Sequence, residues 1–282
     1  MHIDSHPEYV VLYATTDCNH RCSHCFLEHN QTWDPKKLER IASILSQKCL
    51  VHINGAETLL HPEFLSAYKA AGQRFIFTNG LVFLDSSASS IIELLHKNGI
   101  TDIRLSRHFQ ATKTLNAIPE EIVESITKEL ICKGFNVHYN TTITEENYLF
   151  LPENCAKAYA LGVKRIKFFP LKTIGRAKDQ SRIKGLDFEQ MTHFYKLLTE
   201  QRKEYDIDQL SIKVSGDLSG IAEKFTCTFG QHSYAITPDM KVHGCVYSIS
   251  NIAPIGHLLD DGTIVIDKPI THTCKKCLLP CT

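Results

Sequence analysis

The sequence of 282 residues has no excess of either charge and no long apolar run. Its 31 basic residues equal its 31 acidic ones, whereas a non-specific nucleic-acid binder usually has a basic excess. No apolar stretch approaches the roughly 18 residues of a membrane-spanning helix. The first residues also lack the basic and apolar regions of a signal peptide. We therefore expect a cytoplasmic protein that binds neither nucleic acid nor membranes.

Cysteine, by contrast, is abundant, with 11 copies. Disulfides are rare in the cytosol, where clustered cysteines more often bind metal or take part in chemistry. The clustered ones are Cys18, Cys22 and Cys25 near the amino terminus, and Cys227, Cys245, Cys274, Cys277 and Cys281 in the last quarter. We interpret the isolated Cys49, Cys132 and Cys155 as small buried hydrophobes.

Six short runs rich in Val, Ile, Phe or Tyr predict β-strands. They span residues 10–16, 50–55, 74–80, 102–108, 136–143 and 165–171. Segments with helical periodicity separate them, and this alternation indicates a parallel sheet with crossover helices. Six strands are too few for an eight-stranded barrel, so we predict an α/β fold with a partial (β/α)6 TIM-like barrel. Its ligands should gather at the carboxyl ends of the strands.

The pattern changes after residue 171. Residues 172–185 are polar and predict a loop, and 186–205 predict one amphipathic helix. Short strands and turns follow, with Pro238-Asp239 predicting a tight turn between two strands. We place the boundary near 207, which gives a barrel over 1–206 and a small cysteine-rich α+β module over 207–282.

The amino-terminal cysteines have the spacing Cys18-x3-Cys22-x2-Cys25 and directly follow the first predicted strand. Thiolates are soft ligands suited to iron–sulfur clusters. Three of them can hold three irons of a 4Fe–4S cubane and leave the fourth iron open for chemistry, as in catalytic metal sites. The alternative is a zinc site that adds His20 or His24 as a ligand.

This spacing after a first strand, with the aromatic Phe26 behind it, resembles the signature of the radical S-adenosylmethionine (SAM) superfamily. The resemblance implies that SAM chelates the open iron. One electron from the reduced cluster then cleaves SAM to methionine and a 5′-deoxyadenosyl radical, which abstracts a hydrogen atom from the substrate. It also implies an electron donor such as flavodoxin or ferredoxin.

Other strand ends match the family in chain order over about residues 10–175. Asn54-Gly55-Ala56-Glu57 resembles the family's Gly-Gly-Glu-Pro motif, which binds the SAM amino group, although Asn replaces the first Gly and Thr58 replaces Pro. The resemblance implies further SAM contacts at Thr78, Asn79, Ser106, Arg107, Asn140, Pro170 and Leu171. Among these, Arg107 could pair with the SAM carboxylate. The alternative for each position is an ordinary structural role at a strand end.

The carboxy-terminal cysteines resemble a twitch domain, the short form of the SPASM auxiliary-cluster module. Five cysteines are enough for one second 4Fe–4S cluster, with Cys227, Cys245, Cys274 and Cys277 as its predicted ligands. Cys281 would then be spare, and a free thiol there could donate a hydrogen atom to a substrate radical. Structural zinc is the alternative for these cysteines.

The substrate stays open between a peptide and a small polar molecule, and the outcome between epimerisation, dehydrogenation and crosslinking. We see no room for a separate leader-binding domain, which weakens the peptide interpretation. Lys167, Lys172 and Arg176 could meet an anionic substrate or form a solvated face. The non-enzyme alternatives are an iron–sulfur electron carrier or sensor and a zinc-stapled scaffold.

Overall fold

The computed structural model describes residues 2–4, 7–27, 31–180, 182–215, 230, 232–249 and 252–268 of the chain. Within them, strands and helices alternate from β2 to β8. The strands are β1 His2–Asp4, β2 Tyr9–Tyr13, β3 Leu50–Asn54, β4 Phe75–Thr78, β5 Asp102–Ser106, β6 Asn136–Ile143, β7 Arg165–Pro170, β8 Ser211–Val214, β9 Ser233–Ile236, β10 Lys241–His243, β11 Gly256–Leu258 and β12 Ile264–Ile266. The helices are α1 Pro35–Ser46, α2 Leu65–Ala70, α3 Ala88–Lys97, α4 Glu120–Cys132, α5 Leu151–Ala160 and α6 Phe188–Glu204.

The six predicted strands are confirmed as β2 to β7, and the predicted long helix as α6. Local sequence explains where the helices begin. The Asp34 side chain accepts a hydrogen bond from the backbone of Lys37 at the start of α1. Asp187 and Gln190 form a capping box at the start of α6.

The strands form two sheets. The larger has the order β1-β12-β11-β10-β9-β2-β3, in which β2 is parallel to both neighbours, and the smaller is the parallel series β4-β5-β6-β7-β8. The predicted α/β class with parallel strands is confirmed. Within the described ranges, no helix combines the length and apolar character needed to cross a membrane.

A buried side chain connects the two sheets where β3 and β4 do not pair. The Gln73 amide, only 5 % exposed, accepts a hydrogen bond from Ile53 N at 2.6 Å. It also donates to the carbonyls of Ile53 at 3.0 Å and Phe75 at 2.9 Å. Buried backbone groups need partners. The amide therefore replaces part of the missing strand pairing.

Alternation along the strands sets the two faces of the sheet. In β5, Ile103 and Leu105 are fully buried in the apolar core, while Arg104 and Ser106 line a cavity on the opposite face. The helices pack on the apolar face, as α4 does against β6. The polar side chains on the opposite, inward face of the strands are therefore free of helix packing and can form a ligand-binding site.

Strand pairing crosses the predicted boundary at residue 206/207. β8 pairs in parallel with β7, and β9 pairs in parallel with β2, so the division into two domains stays a prediction. The turn predicted at Pro238-Asp239 is confirmed between β9 and β10, which pair antiparallel. Of the isolated cysteines Cys155 is buried as predicted, but Cys132 is exposed at the end of α4 and Cys49 is half-buried.

Candidate active site

A cavity of about 570 Å³ lies on the inward face of the strands and extends to the residues at their carboxyl ends. One of its walls is the segment 18–25, here called the cysteine loop, which follows β2. Cys18, Cys22 and Cys25 all line the cavity. The structure therefore brings the three predicted thiols to the edge of the sheet where ligands of parallel α/β folds gather.

The thiols are electrostatic neighbours. Burial, followed by the nearby Cys25 and Cys18, raises the pKa of Cys22 to about 12. Burial also raises the pKa of Cys18. A positively charged metal centre would replace the thiol protons and relieve this penalty.

These donors fit a 4Fe–4S cluster. Among the described residues, no three side chains of His, Cys, Asp or Glu are grouped as a single metal ion requires. In a cubane each thiolate binds a different iron, so the three sulfur atoms need not meet at one point. Three cysteines then leave one iron without a protein ligand.

Arg176 and Gly175 clamp the cysteine loop from the segment after β7. The Arg176 side chain donates to the carbonyls of Cys22 at 2.9 Å and Leu27 at 3.4 Å, and its backbone N–H donates to the Cys25 carbonyl at 3.0 Å. Gly175 has φ +56°, and an added Cβ there would lie 2.5 Å from Phe26 Cα. Sequence reasoning proposed an anionic substrate or solvent for Arg176, whereas the structure shows a clamp.

The segment leading into the cysteine loop is fixed by the motif after β3. The Ala14 N–H donates to the Asn54 carbonyl at 2.7 Å, and the Ala56 N–H donates to the Thr15 carbonyl at 3.0 Å. A Cβ on Gly55 would lie 3.0 Å from that Thr15 oxygen. The absence of a side chain at Gly55 thus lets the segment after β3 pack closely against the segment after β2.

Glu57 is buried in the protein interior and does not line the cavity. Its side chain is fully buried, and its carboxylate accepts hydrogen bonds from the backbone N–H groups of Asn79 at 2.7 Å and Leu59 at 3.4 Å. Burial raises the pKa of Glu57 to about 7. The contact predicted with the SAM amino group therefore does not match its position, because the carboxylate is used to hold the end of β4.

Asn79, held in this way by Glu57, reaches the cysteine loop. Its side-chain nitrogen donates to Asn19 Oδ1 at 2.8 Å and lies 3.6 Å from Cys18 Sγ, within hydrogen-bonding distance of sulfur. Its side-chain oxygen accepts from the backbone of Leu81 at 2.9 Å. Asn79 is therefore a contact of the thiol loop as well as a residue of the cavity wall.

Arg107 is a correction to the sequence prediction. It is 1 % exposed and is absent from the cavity wall. Its guanidinium bonds to Asn154 of α5 and to Glu120 and Glu124 of α4, at 3.1 and 3.2 Å for the two carboxylates. It is thus occupied among the outer helices, so the predicted pairing with the SAM carboxylate is wrong.

The remaining predicted SAM contacts do line the cavity. They are Asn54, Gly55, Ala56, Thr78, Asn79, Ser106, Asn140, Pro170 and Leu171. Their shared wall spans the ends of β3 to β7 and faces the cysteine loop. Binding of SAM by these residues stays a prediction.

Of the predicted auxiliary-cluster ligands, Cys245 is described and is half-buried in the turn after β10. Its neighbour Tyr247 lines the cavity and meets the Phe26 ring edge-on, with ring centroids 5.3 Å apart. Cys227, Cys274, Cys277 and Cys281 lie outside the described residues.

The cavity also contains inward side chains that sequence analysis missed. They are His52, Arg104, His138 and Arg165, which sit on β3, β5, β6 and β7. A polar residue at every second position of otherwise apolar strands, as in Asp-Ile-Arg-Leu-Ser, was the available signal. The cysteine loop itself contributes His20 and His24 to the cavity wall. Burial, followed by Arg176, lowers the pKa of His24 to about 4.

No family model matches the sequence, and no curated protein matches it. Solved structures do match. SuiB from Streptococcus suis, bound to precursor peptide SuiA, aligns with a TM-score of 0.70 at 18 % identity over 89 % of this chain and 62 % of that chain. SuiB bound to S-adenosylmethionine gives a TM-score of 0.72 at 17 % identity, over 89 % of this chain and 63 % of that chain.

A second protein, anSMEcpe, was crystallised with AdoMet and the Cp18Cys peptide. It gives a TM-score of 0.63 at 16 % identity over 89 % of this chain and 77 % of that chain. The present chain spans less than two thirds of the length of SuiB. At these identities the likeness establishes a shared fold, that of proteins whose crystal structures contain SAM and a peptide.

Proposed function

We propose that this chain is a radical SAM enzyme that acts on a peptide. The observation that carries the proposal is the placement of three thiols, from Cys18, Cys22 and Cys25, in the cavity that the strand-end residues also line. The cysteine spacing resembles the superfamily signature. The fold shared with SuiB and anSMEcpe gives independent support.

In this proposal the cysteine loop holds a 4Fe–4S cluster. When bound there, the cluster would supply the electron that cleaves SAM to methionine and a 5′-deoxyadenosyl radical. Asn54, Gly55 and Ala56 would bind the SAM amino group through backbone and amide atoms. The other cavity-lining strand ends would contact the rest of SAM, namely Ser106, Asn140, Pro170 and Leu171.

The chain's own contacts would keep this arrangement rigid. Arg176 holds the carbonyls on both sides of Cys25, and Asn79 holds Cys18. Fixed groups around a reactive intermediate keep the substrate and the radical in one geometry and limit side reactions with water.

A peptide is favoured over a small polar molecule because solved structures of SuiB and of anSMEcpe contain bound peptides. Epimerisation, dehydrogenation and crosslinking would differ in the fate of the substrate radical. A second cluster on Cys227, Cys245, Cys274 and Cys277 would accept an electron, whereas a free Cys281 thiol would return a hydrogen atom. Flavodoxin or ferredoxin would reduce the first cluster.

The test is SAM cleavage by anaerobically reconstituted full-length protein. With dithionite as reductant, we expect the wild type to form 5′-deoxyadenosine and methionine, measured by liquid chromatography and mass spectrometry. Simultaneous Cys18→Ala, Cys22→Ala and Cys25→Ala substitutions should abolish the product. Cys132→Ala is the matched control, because this thiol is exposed on α4 away from the cavity.

Two results would favour the alternatives. Protein that contains zinc and no sulfide would be a zinc-stapled scaffold. Protein that contains the clusters and never forms 5′-deoxyadenosine would be an electron carrier or sensor. Iron, zinc and acid-labile sulfide are therefore measured on the same samples.

A further inference from the structure

Three cationic side chains share one wall of the cavity, and the proposed chemistry does not use them. Arg104 lies in the middle of β5, Arg165 begins β7, and Lys167 follows two residues later. All three line the cavity. We call these three residues the basic layer.

Strand register places the basic layer on one face. Arg104 pairs with His138 on β6, and His138 pairs with Arg165 on β7. Adjacent strands are about 4.8 Å apart, so the Cα atoms of the two arginines are separated by about 10 Å. Lys167 is the next inward position on β7, beside Asn140. All three long side chains therefore extend into the same cavity.

The basic layer is poorly neutralised by the described residues around it. The nearby carboxylate is Asp102, whose oxygen lies 3.3 Å from His138 Nε2. Burial, followed by Arg165, lowers the pKa of His138 to about 4, so this imidazole is neutral and adds no charge of its own. Three cations thus face one anion.

The two arginines of the basic layer also have hydrogen-bond donors that are not used. The Nε atoms of Arg104 and Arg165 are buried, and neither has a hydrogen-bond partner among the described residues. The Arg104 guanidinium stacks on Phe75 at 3.3 Å from the ring centroid. Stacking on the ring fixes the plane of the guanidinium group and leaves its N–H groups available to donate hydrogen bonds in that plane. Buried donors without partners point to a ligand that supplies acceptors.

We propose that the basic layer binds a carboxylate of the substrate. This proposal rests on the proposed function, since the carboxylate would come from an acidic side chain or the carboxyl terminus of a peptide. Arginine forks and a lysine ammonium match a carboxylate by charge-assisted hydrogen bonds. The enzyme would therefore select peptides with an acidic residue near the reacting position.

Two of the three cations, Arg104 and Arg165, lie at a different level of the cavity from the predicted SAM contacts. The proposed SAM contacts Ser106 and Asn140 occupy the layer of Lys167, whereas Arg104 and Arg165 lie two residues back along their strands. That step is roughly 6.6 Å towards the amino-terminal ends of the strands. A carboxylate bound by the two arginines would therefore lie one inward position away from the SAM layer, on its amino-terminal side.

The test measures binding of small probes by ligand-observed NMR, which needs no reduced cluster. The probe is N-acetylglutamate amide, and N-acetylglutamine amide is its neutral counterpart. We expect the carboxylate probe to bind the wild type and the neutral one to bind at least about tenfold more weakly. Arg165→Gln and Lys167→Met should each weaken carboxylate binding by about tenfold or more. Lys196→Gln, an exposed change on α6, should alter it by less than about twofold.

Three outcomes would overturn the proposal. The carboxylate and amide probes could bind equally, inorganic phosphate could bind tightly where the carboxylate does not, or SAM affinity could fall by the same factor in the variants. The last result would assign the cations to the cofactor. Circular dichroism of each variant identifies loss of folding, in which case Arg104→Lys, which retains the charge, replaces the failed variant. Absence of SAM cleavage would contradict the proposed function alone, since probe binding is read independently.

Discussion

The rim of the cavity and the basic layer beneath it differ in how their polar groups are satisfied. The rim is defined here as the cysteine loop with Asn79 and Arg176, together with the buried Glu57 that holds Asn79 from behind. In this region the protein supplies the hydrogen-bond partners. The Arg176 guanidinium binds carbonyls of the loop, and the Glu57 carboxylate binds the backbone of Asn79. In the basic layer, buried donors of Arg104 and Arg165 lack partners within the described part of the chain.

This difference separates a region built to be rigid from a region built to bind. Satisfied hydrogen bonds stabilise the fold whether or not a ligand is present. Unpaired cations in a partly buried wall destabilise the ligand-free protein, and this cost is offset only when an anion binds. Substitutions should therefore have opposite signs in the two regions, and the following predictions run from the largest effect to the smallest.

At the rim, Arg176→Gln should destabilise the protein by about 2–4 kcal/mol, because it removes charge-assisted hydrogen bonds to the carbonyls of Cys22 and Leu27. Reconstituted variant should also lose iron faster on gel filtration. Urea unfolding and iron content are the measurements. Lys178→Gln, an exposed change in the same segment, should leave both unchanged. Equal stability of the two variants would contradict the clamp.

Glu57→Gln tests whether the buried Glu57 carboxyl makes the stability of the protein depend on pH. The folded-state pKa of about 7 lies above the ordinary value of 4.5, so the folded protein binds more protons than the unfolded chain in this window. Wild-type stability should therefore fall as the pH rises from 4.5 through 7, by on the order of 1–3 kcal/mol from this group. Glutamine does not titrate, so the variant should lose this slope.

The measurement for Glu57→Gln is the unfolding free energy of both proteins at pH 5, 6, 7 and 8. Glu93→Gln, an exposed substitution on α3, is the control and should keep the wild-type slope. Parallel curves for Glu57→Gln and wild type would show that the carboxylate keeps an ordinary pKa in the folded protein.

In the basic layer, Lys167→Met should stabilise the ligand-free protein by up to about 1 kcal/mol. Burial, followed by Arg104 and Arg165, lowers the pKa of Lys167, so its charged form is disfavoured in the folded state. The gain should be fully present below the lowered pKa and fade as the pH rises above it. The measurement is the thermal unfolding midpoint, with Lys196→Met as the control. A lower midpoint for Lys167→Met than for the wild type would show that the basic layer, like the rim, stabilises the ligand-free protein.

Much of the fold was accessible from local sequence. The six strands β2 to β7 were predicted because runs of β-branched and aromatic residues favour strands. The thiol loop was predicted at the carboxyl end of β2, where its three cysteines line the cavity. One error was avoidable. Ser106 and Arg107 are adjacent at the end of an extended segment, so they point to opposite faces and cannot both line one cavity.

The sequence by itself determined the alternation of strands and helices and the cluster of thiols after β2, because both depend on neighbouring residues. Only the tertiary structure decided that the Glu57 side chain is buried away from the cavity, and that Arg104 and Arg165 line the same cavity wall. It also decided that Arg176 clamps a loop about 150 positions earlier in the chain. Those outcomes depend on which strands pair and in which register. A period of two residues along one strand defines two faces, but it does not specify what lies opposite either of them.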